Sequence, residues 1–255
     1  MAFLILLSPS KTQEAGHYSS HHTEPEFILK TKKIVDKLKN YSAAELASLM
    51  DMSDKLGEVT FSRYRQFHFP PSSSLSSVAL LGFRGDVFAE IDADNYEAAD
   101  FEFAQKHLRV LSGLYGLLRP LDLIQPYRLE IGGKFRPEPD TSLYQYWKSD
   151  ITTAIAARLK EMTEPVLLNL ASAEYLKAVD LKNIPAPVVT AVFKQRKNGK
   201  LRTVAIHAKK ARGAMTDFII KNKITETADL QIFSYGGYSY DSSSSSKSEL
   251  HFISE

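Results

Sequence analysis

The chain has 255 residues, of which 44% are hydrophobic and 24% charged, and its formal net charge is +2. Such a composition is typical of a globular protein that can bury a full core. The absence of cysteine excludes disulfides, iron–sulfur clusters, thiolate zinc sites and cysteine nucleophiles. No segment approaches the ~20 apolar residues of a membrane span, and residues 3–7 are predicted as a buried strand rather than a signal segment. We therefore expect a cytoplasmic protein with no membrane partner.

The charges are strongly segregated along the chain. Residues 86–102 contain seven acidic residues and no Lys or Arg, whereas residues 194–223 contain ten Lys and Arg and a single Asp. Such blocks often form opposite faces of one molecule, and a cationic face suits a polyanion. The alternative is that both blocks are solvated faces that keep the protein in solution.

The first half of the chain is predicted to be mostly helical after its opening strand. The capping box of Ser42 and Glu45 starts a helix that ends near residue 50. Further short helices are expected from Ser53 and from Thr60, followed by a loop at 70–77 and a strand at 78–81. Apolar residues at 101, 104, 108 and 111 recur at helical spacing.

The second half alternates helices with strands. Helical spacing at 143–159 predicts a long helix, and the apolar run at 166–170 predicts a central strand. Residues 188–193 and 201–206 flank Asn198-Gly199, which indicates a β-hairpin. A helix at 208–221 and strands at 232–235 and 250–253 follow. Without repeats or linkers, we expect one α+β domain over 1–255, a mixed sheet flanked by helices.

Most familiar catalytic motifs are missing. The sequence has no G-x-x-x-x-G-K-[ST], G-x-G-x-x-G, H-E-x-x-H or G-x-S-x-G pattern, which leaves standard nucleotide folds and serine hydrolases without support. Its seven histidines are scattered, so we expect neither a metal site nor a cofactor.

Two polar segments are placed where strands are predicted to end. Lys11 and Thr12 belong to Ser-Pro-Ser-Lys-Thr, directly after the first strand, where open α/β sheets collect ligands; we expect an anion site, with a plain turn as the alternative. The second segment runs from Asn169 to Tyr175 and contains Glu174. Its alternative explanation is a helix cap by Ser172.

A third segment places Lys209, Lys210 and Arg212 near the start of a predicted helix. Cations there interact unfavourably with the helix dipole, which favours a functional role such as binding phosphates. An exposed basic face is the alternative.

The stretch from Leu111 to Gly132 is rich in glycine, proline and arginine. Leu108, Leu111 and Gly113-Leu114-Tyr115-Gly116 nearly fit a helix-hairpin-helix, with one extra residue between the glycines. Exposed N–H groups of such a turn hold phosphate. The predicted anion-binding residues of this region are Lys106, Arg109, Gly113, Gly116 and Arg119.

Further along this stretch, Arg128 and Glu130 fall on one face of the chain if the segment is extended. They are candidate catalytic residues together with Glu174, although a structural Arg–Glu pair explains them equally well.

Five motifs, in order, carry a resemblance to a known family: SPSKT, FRGDVF at 83–88, the long stretch from Phe101 to Gly132, NLASAEY at 169–175, and AKKARGAM from Ala208. Together they resemble the YaaA peroxide stress protein family. The resemblance implies a bacterial cytoplasmic protein of the oxidative stress response that helps keep free intracellular iron low. It also implies a compact α+β fold with a helix-hairpin-helix-like element beside a basic cleft, and DNA as partner.

Two functional hypotheses stay open at this point. In the first, the protein is not an enzyme and holds the DNA backbone without reading its sequence, through the glycine hairpin and the Lys209 cluster. In the second, an enzyme binds a small phosphorylated or nucleotide-like substrate through Ser8, Lys11, Thr12 and several arginines, with Glu130 or Glu174 as acid or base.

Overall fold

Strand β1, Ala2–Leu7, forms the centre of the sheet, and its five residues from Phe3 to Leu7 are fully buried. The computed structural model describes residues 2–17, 19 and 21–255. A continuous apolar run of this kind is typical of a parallel strand covered on both faces. β1 pairs in parallel with a strand on each side, which explains why it shows no polar alternation.

Thirteen strands are found in the described residues. Their bounds in chain order are β1 Ala2–Leu7, β2 Thr12–Gln13, β3 Ser77–Val78, β4 Phe83–Arg84, β5 Leu108–Ser112, β6 Gly116–Leu118, β7 Leu123–Ile124, β8 Pro165–Asn169, β9 Val188–Lys197, β10 Lys200–Arg202, β11 Ser234–Tyr235, β12 Tyr238–Tyr240 and β13 Glu249–Ser254. Nine of them form one sheet in the order β11-β12-β13-β9-β8-β1-β5-β6, with β10 paired to β9.

The large sheet is mixed. Its central strands β13, β9, β8, β1 and β5 are parallel to one another, whereas the outer pairs are antiparallel. Two further pairs lie outside it, β2 with β4 and β3 with β7. The predicted mixed sheet in a single α+β domain is confirmed.

Eight α-helices accompany the sheet in the described part of the chain. Their bounds are α1 Ile28–Leu38, α2 Ala43–Leu49, α3 Asp54–Gln66, α4 Ala79–Gly82, α5 Ala98–His107, α6 Leu143–Lys160, α7 Ala173–Leu176 and α8 Ala205–Lys221. Short 3-10 turns lie at Ser73–Leu75, Phe88–Glu90, Ala93–Asn95, Leu181–Asn183 and Ala228–Ile232.

Capping decides where several helices begin. Ser42 and Glu45 make the predicted capping box of α2, and Ser142 with Gln145 makes another at the start of α6. Each box satisfies two N–H groups that the first turn would otherwise leave unpaired. None of the helices in the described residues has the length and hydropathy to cross a membrane.

The chain leaves β1 and β8 in opposite directions across the sheet. After β1 the next strand of the large sheet is β5, on one side of β1, whereas β8 lies on its other side and continues outward to β9. The carboxyl ends of β1 and β8 therefore flank a topological switch point, where open parallel sheets bind their ligands.

The predicted helix-hairpin-helix is wrong. Helix α5 ends at His107, and the next residues form the β5–β6 hairpin with Gly113-Leu114-Tyr115 as its turn. Strand β5 is buried on both faces, so its sequence does not alternate between apolar and polar residues. Leu108 and Leu111 therefore continue the helical spacing of the preceding helix by chance. The turn itself is buried, so it offers no N–H groups to an external phosphate.

Other differences are local. The strand predicted at 78–81 ends at Val78, where α4 begins, and the two helices expected from Ser53 and Thr60 are the single helix α3. Helix α8 starts at Ala205, three residues before the predicted start. The second strand of the Asn198-Gly199 hairpin consequently ends at Arg202.

Candidate functional site

A cleft of about 460 Å³ opens at the carboxyl ends of β1 and β8. Its walls are residues 8–13, 85–87 and 127–130, the end of β8 with the start of α7, and one side of the first turns of α8. All five motifs that carry the family resemblance thus contribute to one cleft, although the stretch from Phe101 to Gly132 does so only through residues 127–130. The cleft is defined below by these segments.

The loop after β1 is held by hydrogen bonds at both ends. The Ser8 hydroxyl oxygen accepts a hydrogen bond from the Ser172 N–H at 2.9 Å, which joins the ends of β1 and β8. The Gln13 side chain donates to the Ser10 carbonyl at 2.9 Å and accepts from the Tyr127 N–H at 2.7 Å. Lys11 and Thr12 are therefore presented on a loop whose backbone is fixed.

The adjoining FRGD motif needs its glycine. Gly85 has a φ of +101°, and a Cβ built there would lie 2.7 Å from the Ser10 hydroxyl oxygen. Strand β4 just before it pairs with β2, so Thr12 faces Arg84. This pairing brings Gly85 and Asp86 to the rim of the cleft.

The segment that carries Arg128 and Glu130 is supported by the β5–β6 hairpin. A Cβ built at Gly113 would lie 2.3 Å from the Leu129 carbonyl oxygen, so only glycine permits the two backbones to approach this closely. The Tyr64 hydroxyl donates to the Arg128 carbonyl at 2.8 Å. Leu129 is buried, which turns Arg128 and Glu130 together into the cleft.

The cleft contains both signs of charge. Four cations, Lys11, Arg128, Lys209 and Arg212, share it with three acids, Asp86, Glu130 and Glu174. The Glu130 carboxylate lies 2.7 Å from Lys11 Nζ and 3.6 Å from Arg128 Nη2, and Lys209 Nζ lies 3.7 Å from Asp86. The predicted basic cleft is thus one of mixed charge.

Arg212 differs from the other three cations. Among the described residues no carboxylate lies within ion-pair distance of it, and its buried Nε has no hydrogen-bond partner. Burial lowers the pKa of Arg212 below its ordinary value, although an arginine stays protonated at neutral pH. The buried Nε of Arg128 also lacks a hydrogen-bond partner.

The far side of the cleft has a carboxylate beside phenols. A Cβ built at Gly132 would lie 2.8 Å from a Glu174 carboxylate oxygen and 3.1 Å from the Tyr144 hydroxyl. Burial raises the pKa of Tyr175 well above its ordinary value, with a smaller contribution from Glu174. Tyr175 therefore stays a neutral phenol, and its hydroxyl is hydrogen-bonded to the backbone of Ile131. Ser172 caps α7, which is the alternative explanation given for segment 169–175, and its hydroxyl also forms a hydrogen bond with that of Ser8.

The acidic segment 86–102 packs against helix α8 within the molecule. Lys210 pairs with Glu90 at 3.3 Å, and Asp217 accepts a hydrogen bond from the Tyr96 hydroxyl at 2.8 Å. Lys223, just past α8, binds Asp100. Since Lys209 pairs with Asp86, both lysines of the predicted phosphate-binding cluster already have acidic partners.

Six predicted anion-binding residues lie outside the cleft: Lys106, Arg109, Gly113, Gly116, Arg119 and Lys210. The two glycines are buried in the hairpin, where a Cβ at Gly116 would lie 2.7 Å from Trp147. Arg119 pairs with Asp122 at 2.8 Å and donates to the Glu24 carbonyl. Arg109 donates to the carbonyls of Gln105 and Leu108, and Lys106 is exposed at the end of α5.

Sequence reasoning missed Asp86 and Gln13. Asp86 lies in the FRGD motif and pairs with Lys209, while Gln13 connects the loop after β1 to Tyr127. The glycine before Asp86 was the available signal, because Gly next to charged residues often marks a turn at a site. Within the described residues, no group of three or more His, Cys, Asp or Glu side chains is placed to hold a metal ion.

Taken together, the fold and the cleft define a single-domain α+β protein with a mixed-charge ligand cleft at the switch point of a largely parallel sheet. Residues 3–244 match the family model described as peroxide stress protein YaaA. The chain is also 43% identical over 250 residues to a UPF0246 protein of Acaryochloris marina strain MBIC 11017, covering 98% of each chain. The chain therefore belongs to the peroxide stress protein YaaA family, which supports a role in peroxide stress.

Proposed function

We propose that this protein binds a small phosphorylated or nucleotide-like anion in the cleft as part of the peroxide stress response. The observation that carries the proposal is Arg212, a largely buried guanidinium that faces the cleft with no acidic partner among the described residues. A buried charge without a partner is costly, and a bound anion would remove that cost.

The neighbouring groups suit a phosphoryl group. Arg128 has an unpartnered Nε and can offer a second guanidinium face, and guanidinium groups bind phosphate through two parallel hydrogen bonds. Hydroxyls of Ser8 and Thr12 line the same space. Glu174 has Tyr144 nearby and, among the described residues, no cation within ion-pair distance, so it is the candidate acid or base for chemistry on the bound ligand.

The test is ligand binding by Arg212→Ala. Thermal-shift and calorimetric titrations with inorganic phosphate, pyrophosphate and a panel of nucleotides should identify a ligand for the wild-type protein. Losing one charge-assisted contact worth about 1.5–3 kcal/mol should weaken binding by about 10- to 100-fold.

Arg202→Ala is the matched control, because Arg202 is an exposed arginine of β10 outside the cleft. It should bind the ligand like the wild type. Equal affinities for Arg212→Ala and wild type, or no binding of any compound in the panel, would contradict the proposal.

DNA binding through the phosphate backbone is the second candidate. It is favoured by the β9–β10 hairpin, where Lys197, Lys200 and Arg202 are exposed and Asn198-Gly199 makes a protruding turn. Cations of this kind hold a polyanion without reading its sequence. In this version the protein would shield DNA from iron-driven damage.

Fluorescence anisotropy with duplex, single-stranded and gapped DNA across a salt series tests the second candidate. Charge reversal at Lys197 and Lys200 should weaken DNA binding and flatten its salt dependence, whereas Arg212→Ala should leave both unchanged. The opposite pattern, with loss only in Arg212→Ala, would move the DNA contact into the cleft.

Either activity could serve to limit free intracellular iron, and we propose this as the cellular outcome. Cells in which the gene for the wild-type protein is deleted would be complemented with Arg212→Ala or with the charge reversal at Lys197 and Lys200. Their chelatable iron would be compared after peroxide exposure. The variant that fails to lower iron identifies the surface on which the effect depends. Equal iron levels in both variants and the wild type would contradict the proposal.

A further inference from the structure

Glu130 already holds two of the cations that the proposed anion would need. Its Oε1 atom lies 2.7 Å from Lys11 Nζ and 3.6 Å from Arg128 Nη2, so one carboxylate oxygen serves both. In this arrangement the Glu130 carboxylate supplies negative charge to both cations. The inference below rests on the proposed function.

The backbone around Glu130 is fixed, and its side chain is not. The Arg128 carbonyl is bound by Tyr64, Gly113 presses on Leu129, and the Gly133 N–H donates to the Glu130 carbonyl at 3.0 Å. The Glu130 side chain is 32% exposed and that of Lys11 is 60% exposed. Their ion pair can therefore open by side-chain rotation alone, without a change of fold.

Of the two cations that Glu130 contacts, Arg128 is the more buried. Its side chain is only 18% exposed, and its Nε is buried without a hydrogen-bond partner. The 3.6 Å distance to Glu130 is long for a charge-assisted hydrogen bond. Glu130 thus neutralises Arg128 incompletely, and an anion with more oxygens and more charge would satisfy it better.

We propose that Glu130 is an internal substitute for the ligand anion, so that the cleft selects dianionic phosphomonoester groups over monoanions. A monoanion that replaces Glu130 exchanges one single charge for another and gains little. A phosphomonoester carries about −1.5 to −2 charges at neutral pH and three acceptor oxygens. It can displace the carboxylate from Lys11 and Arg128 and still gain Arg212.

This selection separates the ligand classes of the two candidate functions. A phosphodiester, the repeating unit of DNA, is a monoanion and cannot compete with Glu130 on these terms. A phosphomonoester or a terminal phosphate can. The freed Glu130 carboxylate would then lie beside the bound ligand.

The test compares methyl phosphate with dimethyl phosphate at pH 8, where the first is a dianion and the second a monoanion. Binding is followed by 31P NMR titration of the wild-type protein, Glu130→Gln and the control Glu226→Gln. Glu226 is exposed beyond α8 and outside the cleft, so its variant makes the same charge change at a distance.

We expect the wild-type protein to bind methyl phosphate and not dimethyl phosphate. Glu130→Gln should bind methyl phosphate about fivefold more tightly, the factor that corresponds to a half-exposed ion pair of about 1 kcal/mol. It should also bind dimethyl phosphate, so that the selectivity falls. Glu226→Gln should behave like the wild type.

Two results overturn the inference. If the wild type binds methyl phosphate through Arg212, and Glu130→Gln binds it no more tightly or with unchanged selectivity, the substitute role of Glu130 is wrong and the proposed function stands. If neither protein binds methyl phosphate at millimolar concentration, the inference fails, and the proposed function fails with it only if the wild type also binds no compound of the phosphate, pyrophosphate and nucleotide panel. Matching melting temperatures of Glu130→Gln and wild type show that the variant is folded.

Discussion

A methyl group added at Gly213 tests how closely the acidic segment is packed against helix α8. A Cβ built there would lie 1.9 Å from the Val87 carbonyl oxygen and 3.1 Å from Glu90 Cβ. In an unobstructed helix, Gly→Ala stabilises by about 1 kcal/mol. Here the backbone of Val87 must move by more than an ångström, and such overpacking costs about 1–3 kcal/mol or more.

An overpacking cost of about 3 kcal/mol less the propensity gain of about 1 kcal/mol lowers the free energy of unfolding of Gly213→Ala by about 2 kcal/mol. This corresponds to a melting temperature about 4–8 °C lower in a chain of this size. Thermal unfolding followed by circular dichroism measures the shift. Because Val87 lines the cleft, anion binding should weaken as well.

Ala214→Gly, at the next position of α8, is the matched control for helix propensity. It should lower the melting temperature by about 2–4 °C, the equivalent of about 1 kcal/mol. A rise in the melting temperature of Gly213→Ala would mean that propensity alone acts at this site. The close approach of the 86–90 segment to α8, and with it this wall of the cleft, would then be refuted.

Two further predictions concern the hairpin and the acidic segment. Gly116→Ala should destabilise the protein by about 1 kcal/mol or more, because Gly116 has a φ of +74° and its new Cβ would lie 2.7 Å from Trp147. Trp147 is the single tryptophan, so the fluorescence spectrum of the protein should change. An unchanged spectrum would argue against the contact. A hydrogen bond from Lys223 holds the pKa of Asp100 below its ordinary value, so this carboxylate contributes stability at neutral pH that is lost as the pH falls through its folded pKa. The melting temperatures of wild type and Asp100→Asn should therefore differ near pH 6 and converge only as the pH falls below the ordinary pKa of an aspartate, about 3.9, whereas a constant difference would contradict the ion pair.

Elements set by local signals were predictable from the sequence. The capping box at Ser42, the helical spacing of α6 and the Asn198-Gly199 turn each depend on neighbours within a few residues, and each is found. Strand β5 was not predictable in this way. Its residues are buried on both faces, so the apolar run carries no alternation, and the preceding helix extends the helical spacing into it.

The residue types that line the cleft were predictable from the sequence, whereas the contacts that join the acidic segment to α8 were not. The end of β1 and Arg128 were expected to bind an anion, and Glu174, after β8, was a candidate acid or base. The sheet order brings the ends of β1 and β8 together. The pairing of Lys209 with Asp86 and of Lys210 with Glu90 joins segments more than 100 residues apart. The charge blocks indicate attraction between these segments, but the register of their contact depends on Gly213 and Val87, which no charge pattern identifies.

This internal pairing limits how strongly DNA binding can depend on salt. With Lys209 and Lys210 engaged by acids, the exposed cations of the β9–β10 hairpin are Lys197, Lys200 and Arg202, together with Arg196, which pairs with Glu255. Three phosphate contacts correspond to a slope of about −3 in a plot of log K against log salt. A slope near that value would locate DNA on the hairpin and leave the cleft to a small anion. A slope of about −5 or steeper would require Lys209 and Lys210 to leave Asp86 and Glu90, and DNA binding would then have to open the same wall of the cleft that Gly213 holds closed.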